Sequence, residues 1–163
     1  RNPKPKEIKL KGYEAVAPVS FASVSPKENL VFFGFEDGAV VVCDSKTNPL
    51  FYPQHADGPI TGFRFFPRLA VGIGSTGQGN LTFWDMHTGD IIEEFNAHRR
   101  WVLSLSTSKN GRYLLTAGTD SQVRLWETSW TCTEEEGEPP FEWMGGSSQQ
   151  VRRFGRLFGF GGR

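Results

Sequence analysis

Four side chains in the second half of the chain are of types that could act together chemically. They are His98, Thr116, Asp120 and Trp126. A hydroxyl, an imidazole and a carboxylate can serve as the nucleophile, base and orienting group of a hydrolase. The same groups can also form a buried hydrogen-bonded chain that runs from the indole N–H to the carboxylate and satisfies every donor. Since the sequence supplies no oxyanion hole and no nucleophile elbow, we favour the structural role.

A glycine-rich segment, Gly72-Ile73-Gly74-Ser75-Thr76-Gly77, suggests dinucleotide binding as a second chemistry. It matches the pattern G-x-G-x-x-G, and Glu93 and Glu94 follow at about 20 residues, where a ribose-binding acid is expected. That site needs a helix that opens at the third glycine and holds the pyrophosphate at its N-terminus. Here residues 78–84 have the pattern of a turn followed by a strand. We therefore predict a hairpin loop and no nucleotide cofactor.

The rest of the composition gives no sign of a metal or a cofactor. His55, His87 and His98 lie in separate turns, and Cys43 and Cys132 match no ligand spacing. The 18 basic and 18 acidic side chains balance, so net charge directs the chain to no class of partner. No apolar run approaches the roughly 18 residues that a membrane span needs, and there is no secretory signal. We expect no cofactor, no small-molecule substrate, no membrane span and an intracellular location.

Short apolar runs separated by turn residues indicate many short antiparallel strands. Three of these runs end alike, in VVVCD at Asp44, LTFWD at Asp85 and VRLWE at Glu127, at intervals of 41 and 42 residues. Lys109-Asn110-Gly111 is a strong signal for a hairpin turn. Aligned on these ends, the three copies predict strands at 19–24, 30–34, 39–43 and 50–52, at 60–65, 69–73, 80–84 and 91–95, and at 102–106, 113–117 and 122–126.

The order of these features resembles the WD-repeat family of β-propellers. The repeat of that family spans about 40–45 residues. This chain has its features in the same order: the Trp84-Asp85 pair, the Thr88-Gly89 turn, His98 before an apolar run, and the Asp120 turn. The resemblance covers about three repeats, residues 13–130. It implies an all-β fold, a partial WD-repeat β-propeller of about three four-stranded blades. It also implies that the set of His98, Thr116, Asp120 and Trp126 is buried and braces the third blade.

The first two copies depart from this bracing set. In the second copy, His55 and Trp84 remain, while Gly74 and Gln78 replace the hydroxyl and the carboxylate. In the first copy, Asp37 alone survives, with Phe33 and Cys43 at the hydroxyl and tryptophan positions. One blade is therefore expected to be fully braced and two to be degenerate.

Three repeats are too few for a ring, because propellers have 4–8 blades and open repeats leave unpaired edges. We expect the ring to be completed by sequence missing from this chain or by another polypeptide. Residues 1–12 would be an N-terminal arm or a strand of a preceding blade. Residues 131–163 read as an acidic and then Arg/Phe/Gly-rich tail that is mostly irregular. The chain would be the C-terminal part of a larger propeller.

By analogy with the family, the chain is expected to be a non-enzymatic scaffold or adaptor that binds other protein subunits within an assembly. Trp and Arg are enriched at interface hot spots, although Trp101 could equally pack between blades. The candidate contact residues on exposed turns are Glu36, His55, Asp57, Arg99, Arg100 and Trp101.

An alternative function is that of an RNA-associated subunit, because tails that interleave arginine with aromatic residues can bind phosphates and stack on bases. The same tail could instead dock as a peptide on a protein. Its candidate residues are Arg152, Arg153, Phe154, Arg156, Phe158, Phe160 and Arg163.

Overall fold

The computed structural model describes residues 3–4, 10, 17–25, 29–66, 70–109, 112–127 and 158–160. Over these ranges the chain is all-β and forms three antiparallel sheets of four strands each. Sheet 1 contains β1 (Val19–Ser25), β2 (Leu30–Phe35), β3 (Val40–Asp44) and β4 (Pro49–Phe51). Sheet 2 contains β5 (Ile60–Phe66), β6 (Val71–Thr76), β7 (Asn80–Asp85) and β8 (Ile91–Asn96). Sheet 3 contains β9 (Val102–Thr107), β10 (Tyr113–Gly118), β11 (Val123–Glu127) and β12 (Phe158–Phe160).

Within each sheet the strands pair in chain order, so every sheet is an up-and-down meander. All the strands predicted between residues 19 and 126 are present, and their ends lie within three residues of the predicted ones. The strand prediction succeeds because apolar runs are separated by turn residues at a fixed period. The fourth strand of sheet 3 was not predicted, since it comes from a distant segment of the chain.

One turn geometry recurs between the second and third strands of the sheets. Its last residue has a positive φ of 87° at Gly38, 91° at Gly79 and 63° at Ser121. The N–H of that residue donates to the carbonyl three positions earlier, at 3.2, 3.1 and 3.2 Å in sheets 1, 2 and 3. Glycine is needed at position 79 for a further reason, because a Cβ there would lie 2.0 Å from the carbonyl oxygen of His98. The turn between β6 and β7 thus lies directly against the loop that leads from sheet 2 into sheet 3.

The three sheets pack face to face with sheet 2 in the middle. Between sheets 1 and 2 a buried cluster joins Leu30, Phe32, Val40 and Val42 to Ile60, Phe63, Trp84 and Met86. Between sheets 2 and 3 a second cluster joins Val71, Ile73, Leu81 and Phe83 to Leu105, Leu114 and Trp126. The apolar residues of β3 and the central residues of β7 are therefore buried on both faces, whereas β10 is exposed on the face that points away from sheet 2.

The glycine-rich segment does not open a helix. Gly72 to Thr76 lie within β6, and the turn occupies Gly77 to Gly79, so the loop is shorter than predicted. The glycines make room for neighbouring side chains: a Cβ at Gly72 would lie 2.7 Å from the Met86 sulfur, and one at Gly74 would lie 2.6 Å from the Trp84 ring. These glycines serve packing between strands and sheets.

The N-terminal arm is described only at residues 3–4 and 10. Leu10 packs, half-buried, against a cluster of Phe35, Ala39, Val41 and Cys43 on the face of sheet 1 that points away from sheet 2. The tail predicted at 131–163 lies outside the described residues except for β12. Within the described ranges, no helix has the length and apolar character needed to cross a membrane.

Candidate functional site

The four side chains predicted to act together do meet, inside sheet 3. His98 precedes β9, Thr116 lies on β10, Asp120 is in the turn that follows, and Trp126 is on β11. Trp126 Nε1 lies 3.0 Å from Thr116 Oγ1, and His98 Nε2 lies 2.8 Å from the same oxygen. His98 Nδ1 lies 2.9 Å from Asp120 Oδ1. The contacts form one continuous hydrogen-bonded chain.

The two ends of this chain fix the direction of their own hydrogen bonds. The indole N–H of Trp126 can only donate, so the Thr116 oxygen accepts from it. The Asp120 carboxylate can only accept while ionised, so His98 donates from Nδ1. His98 Nε2 completes the chain through its hydrogen bond with the hydroxyl of Thr116. Among the described residues no buried side-chain polar atom is left without a partner.

We call this set of four hydrogen-bonded side chains the brace, and its central members are closed off from solvent. His98 and Thr116 have 0% exposure, so no substrate carbonyl reaches the hydroxyl. The arrangement links β10, β11 and the loop before β9 through side-chain hydrogen bonds.

Asp120, at the end of the brace, also accepts hydrogen bonds from two backbone N–H groups. Its carboxylate also accepts the backbone N–H of Arg99 at 3.2 Å and that of Gln122 at 3.2 Å. Partial burial acts to raise the pKa of Asp120, but the hydrogen bonds from His98, Arg99 and Gln122 outweigh it and lower the pKa to about 2. The loop before β9 is thereby tied to the turn after β10 by an ionised carboxylate.

We expect this ionised group to make the brace acid-sensitive. A carboxyl whose pKa falls on folding adds stability that is complete above its unfolded-state value of 3.8 and is lost as pH falls through about 2. Unfolding free energies of the wild type and Asp120→Asn, measured by urea titration between pH 5 and pH 2, should therefore differ most near pH 5 and converge toward pH 2. A difference that stayed constant over this range would show that ionisation of Asp120 does not stabilise the fold.

Sheet 2 replaces the brace with a different contact. Gly74 occupies the position of Thr116, and the ring of Trp84 fills the space where its side chain would be. The Trp84 N–H donates to the carbonyl oxygen of Gln54 at 2.8 Å. His55, which the period aligns with His98, is exposed. The sequence did not reveal Gln54 as the partner, because a backbone carbonyl leaves no signature in residue type.

Sheet 1 keeps only the turn part of the brace. Asp37 Oδ1 accepts the backbone N–H of Ala39 at 3.0 Å, just as Asp120 accepts that of Gln122. Cys43 stands at the tryptophan position and is fully buried. Burial, and next the adjacent Asp44 charge, raise the pKa of the Cys43 thiol to about 11. The thiol is therefore protonated and packs as a small apolar group.

The six predicted contact residues lie on loops at one end of the three sheets. This end, which we term the loop face, consists of the turns at 36–38, 77–79 and 119–122 and the connections at 52–59 and 97–101. The turns and connections touch one another, since the N–H of Ala56 donates to the carbonyl of Gly38 at 3.0 Å and that of Ala97 to Gly79 at 2.9 Å. All six predicted residues are exposed: Glu36, His55, Asp57, Arg99, Arg100 and Trp101.

Trp101 combines packing with exposure. A Cβ at Gly77 would lie 3.1 Å from its indole ring, so the ring rests on the turn of sheet 2. Its backbone carbonyl accepts the N–H of Thr119 at 2.9 Å, which anchors it to sheet 3. The side chain is nevertheless 49% exposed. Trp101 therefore bridges sheets 2 and 3 and presents its other half to solvent.

In the parts of the chain that the structure describes, no group of three or more His, Cys, Asp or Glu side chains could hold a metal ion. The tail candidates Arg152, Arg153, Phe154, Arg156 and Arg163 lie outside those parts. Phe158 and Phe160 belong to β12, whose backbone pairs with β11.

Three successive antiparallel four-stranded sheets, stacked face to face in chain order, define the architecture as blades of a partial β-propeller. Solved structures share this fold. The computationally designed Ika4 protein superimposes with a TM-score of 0.61 at 19% identity, over 83% of this chain and 82% of that one. The designed Ika8 protein gives 0.55 at 21% identity, over 65% and 32%.

Sequence comparison specifies the kind of blade. The family described as "WD domain, G-beta repeat" matches residues 89–127. Nuclear distribution protein PAC1 of Arthroderma otae is 35% identical over 81 residues, 45% of this chain and 18% of that protein. Human striatin is 36% identical over 70 residues, 42% and 9% respectively. Pre-rRNA-processing protein IPI3 of Eremothecium gossypii is 34% identical over 68 residues, 41% and 13%.

The chain thus contains a WD-repeat segment, and this segment includes the whole brace. The matched range begins at Gly89, before β8, and ends at Glu127, so it contains His98, Thr116, Asp120 and Trp126. The chain spans less than a fifth of the length of the curated relatives described above.

Proposed function

We propose that the chain is a non-enzymatic protein-interaction scaffold, the C-terminal part of a larger propeller held in a multi-subunit assembly. One observation carries this proposal. The face of sheet 3 that points away from sheet 2, which we term the outer face, exposes Leu103, Tyr113, Leu115, Val123 and Leu125. An exposed contiguous apolar patch of this kind is typical of an interaction surface.

The repeat period supports one kind of partner for the outer face. The positions one repeat earlier than Tyr113, Leu115, Val123 and Leu125 are Val71, Ile73, Leu81 and Phe83. These four residues are at most 3% exposed, because sheet 3 covers them with Leu105, Leu114 and Trp126. Their counterparts in sheet 1 are covered by sheet 2 in the same way. The partner that matches the outer face is therefore another blade, from the same or a different polypeptide.

The loop face supplies the second surface of the scaffold. Glu36 and Asp57 place acidic side chains toward sheet 1, while Arg99, Arg100 and Trp101 place basic and aromatic ones toward sheet 3. Because Trp101 is rigidly held yet half-exposed, it suits the role of an anchor at the centre of a contact. The relatives named above are a nuclear distribution protein and a pre-rRNA-processing protein, which supports an intracellular role.

Charged residues on the outer face should weaken association of the purified chain. Sedimentation velocity of the wild type should show species heavier than the 18.2 kDa monomer, because uncovered apolar surface drives self-association. In the Leu115→Glu/Leu125→Glu variant, association should weaken at least tenfold, since burying one leucine is worth about 1.5–3 kcal/mol.

The matched control carries the same charge change on sheet 1, at Val24 and Leu50, which are 65% and 44% exposed. This Val24→Glu/Leu50→Glu variant should associate as the wild type does. A wild-type chain that remained a well-folded monomer at all concentrations would contradict the proposal.

A further inference from the structure

In both contacts between neighbouring sheets, the first strand of the later sheet packs on the earlier sheet in the same way. Ile60 of β5 lies on Gly34 of sheet 1, where an added Cβ would come within 2.5 Å of the Ile60 Cγ2 atom. Leu105 of β9 lies on Gly62 of sheet 2, where an added Cβ would lie 3.5 Å from the Leu105 Cβ. Each contact therefore places an apolar side chain over a glycine of the sheet before it.

The two first strands carry these apolar side chains at the same spacing. Ile60 and Phe63 of β5 correspond to Val102 and Leu105 of β9, three positions apart in each strand. All four are at most 4% exposed. Phe63 also packs on Phe32 of sheet 1, with ring centroids 4.8 Å apart. A β-branched residue followed three positions later by Phe or Leu is thus the pattern with which a first strand covers the preceding sheet.

The third strand of the covering sheet adds a tryptophan to each contact. Trp84 of β7 lies in the buried cluster between sheets 1 and 2, and Trp126 of β11 lies in the cluster between sheets 2 and 3. Their side chains are 0% and 8% exposed. A sheet that covers its predecessor therefore presents three apolar positions, two in its first strand and one in its third.

Sheet 1 keeps only one of these three positions on the face that points away from sheet 2. Val19 is β-branched and is 53% exposed. Ala22, which is exposed, stands where β5 has Phe63. Cys43 stands where β7 has Trp84. Sheet 1 of a second copy is therefore poorly suited to cover sheet 3.

The outer face of sheet 3 has the features on which the patterned strands pack. Ala117 corresponds to Gly34, and Ser104 corresponds to Gly62, so both positions again have small side chains. Ser104 is exposed, and Leu115, two positions before Ala117, is 45% exposed. The outer face thus continues a series of two interfaces that are built alike.

We propose that the outer face is the docking site for a blade that lies outside residues 1–163 and carries all three apolar positions. Its first strand has Val or Ile followed three positions later by Phe or Leu, and its third strand has Trp. The chain's own sheet 1 is not this partner, and Leu10 already packs against the cluster around Cys43. The proposal rests on the proposed function, which assigns the outer face to another blade, and it adds the chemistry by which that blade is selected.

Completing the pattern on sheet 1 should turn the chain into its own partner. Ala22→Phe places phenylalanine three positions after Val19 and should tighten self-association by roughly tenfold in sedimentation equilibrium, because the added ring becomes buried. The associated species should contain two chains, since two such contacts close a ring of six sheets. The control Lys46→Phe adds the same side chain where the counterpart, His87, stays exposed beside sheet 1, and should associate as the wild type does.

A second substitution tests whether the gain uses the outer face. Ser104→Phe fills the space that the added ring would occupy, so Ala22→Phe/Ser104→Phe should associate no more tightly than Ser104→Phe alone. Equal association of Ala22→Phe and Lys46→Phe, or a gain that survives Ser104→Phe, would overturn the proposal and leave the outer face as an interaction surface. Weaker association of Val19→Glu than of the wild type would also overturn it, because a second copy would then bind through the unaltered sheet 1.

The failure of the proposed function has a different signature. A wild-type chain that stayed monomeric would contradict that function, whereas the comparison of Ala22→Phe with Lys46→Phe would still decide whether the outer face selects the three-position pattern.

Discussion

The Thr116→Val variant should unfold with a free energy about 2–4 kcal/mol below that of the wild type. Valine keeps the shape of threonine but removes the oxygen that lies between His98 Nε2 and Trp126 Nε1. Both nitrogens then lose their partner in a site where His98 has 0% exposure, and a buried unsatisfied polar group costs about 1–3 kcal/mol. Urea titration monitored by tryptophan fluorescence measures the change.

Two further substitutions make this result specific to the hydroxyl. Thr116→Ser retains the oxygen and should recover most of the lost stability. Thr107→Val makes the same chemical change on a half-exposed residue of β9 and should alter stability by no more than about 0.5 kcal/mol. If Thr116→Val cost no more than Thr107→Val, the buried chain of hydrogen bonds would not be what holds sheet 3 together.

The brace could be predicted because its members match, residue by residue, the polar set of the WD repeats that the third copy resembles. His98, Thr116, Asp120 and Trp126 were identified together, and the structure joins them within hydrogen-bonding distance. The strands could also be predicted from sequence, since apolar runs alternate with turn residues. Both features depend on residues close in sequence or on one repeating unit.

Features that depend on distant chain segments or on backbone atoms could not be predicted. The contact between Trp84 and the Gln54 carbonyl has no side-chain signature at position 54. The strand β12 is set by pairing across residues 128–157, and a Phe-Gly-Phe sequence has no strong strand signal of its own. The exposed outer face was also missed, because the same apolar pattern is buried in sheets 1 and 2.

The two tryptophans of the matched Trp-Asp and Trp-Glu ends illustrate this limit. The repeat aligns Trp84 with Trp126, but the two side chains make different contacts. Trp126 donates within its own sheet, to Thr116 on the neighbouring strand. Trp84 lies in the cluster between sheets 1 and 2 and donates to the loop that connects them. Gly74 stands where sheet 3 has Thr116, and because glycine has no side chain the Trp84 ring can occupy that space.

We expect Trp84→Ala to have the largest effect of any substitution considered, a loss of about 3–5 kcal/mol in unfolding free energy. The side chain has 0% exposure, packs against Phe63 with ring centroids 5.8 Å apart, and fills the space beside Gly74. Its removal leaves a cavity that neighbouring glycine cannot fill, and it deprives the Gln54 carbonyl of a donor. Guanidinium titration followed by circular dichroism measures the total loss.

Hydrogen exchange locates that loss. Because Trp84 joins sheet 1 to sheet 2, amides of β2 and β3 should lose protection first, while those of β10 should change least. The control is Trp101→Ala, which removes an equally large side chain that is 49% exposed and should cost well under half as much. Equal losses from the two substitutions would mean that Trp84 does not hold the first two blades together. A loss confined to β6 and β7 would place its role inside sheet 2 alone.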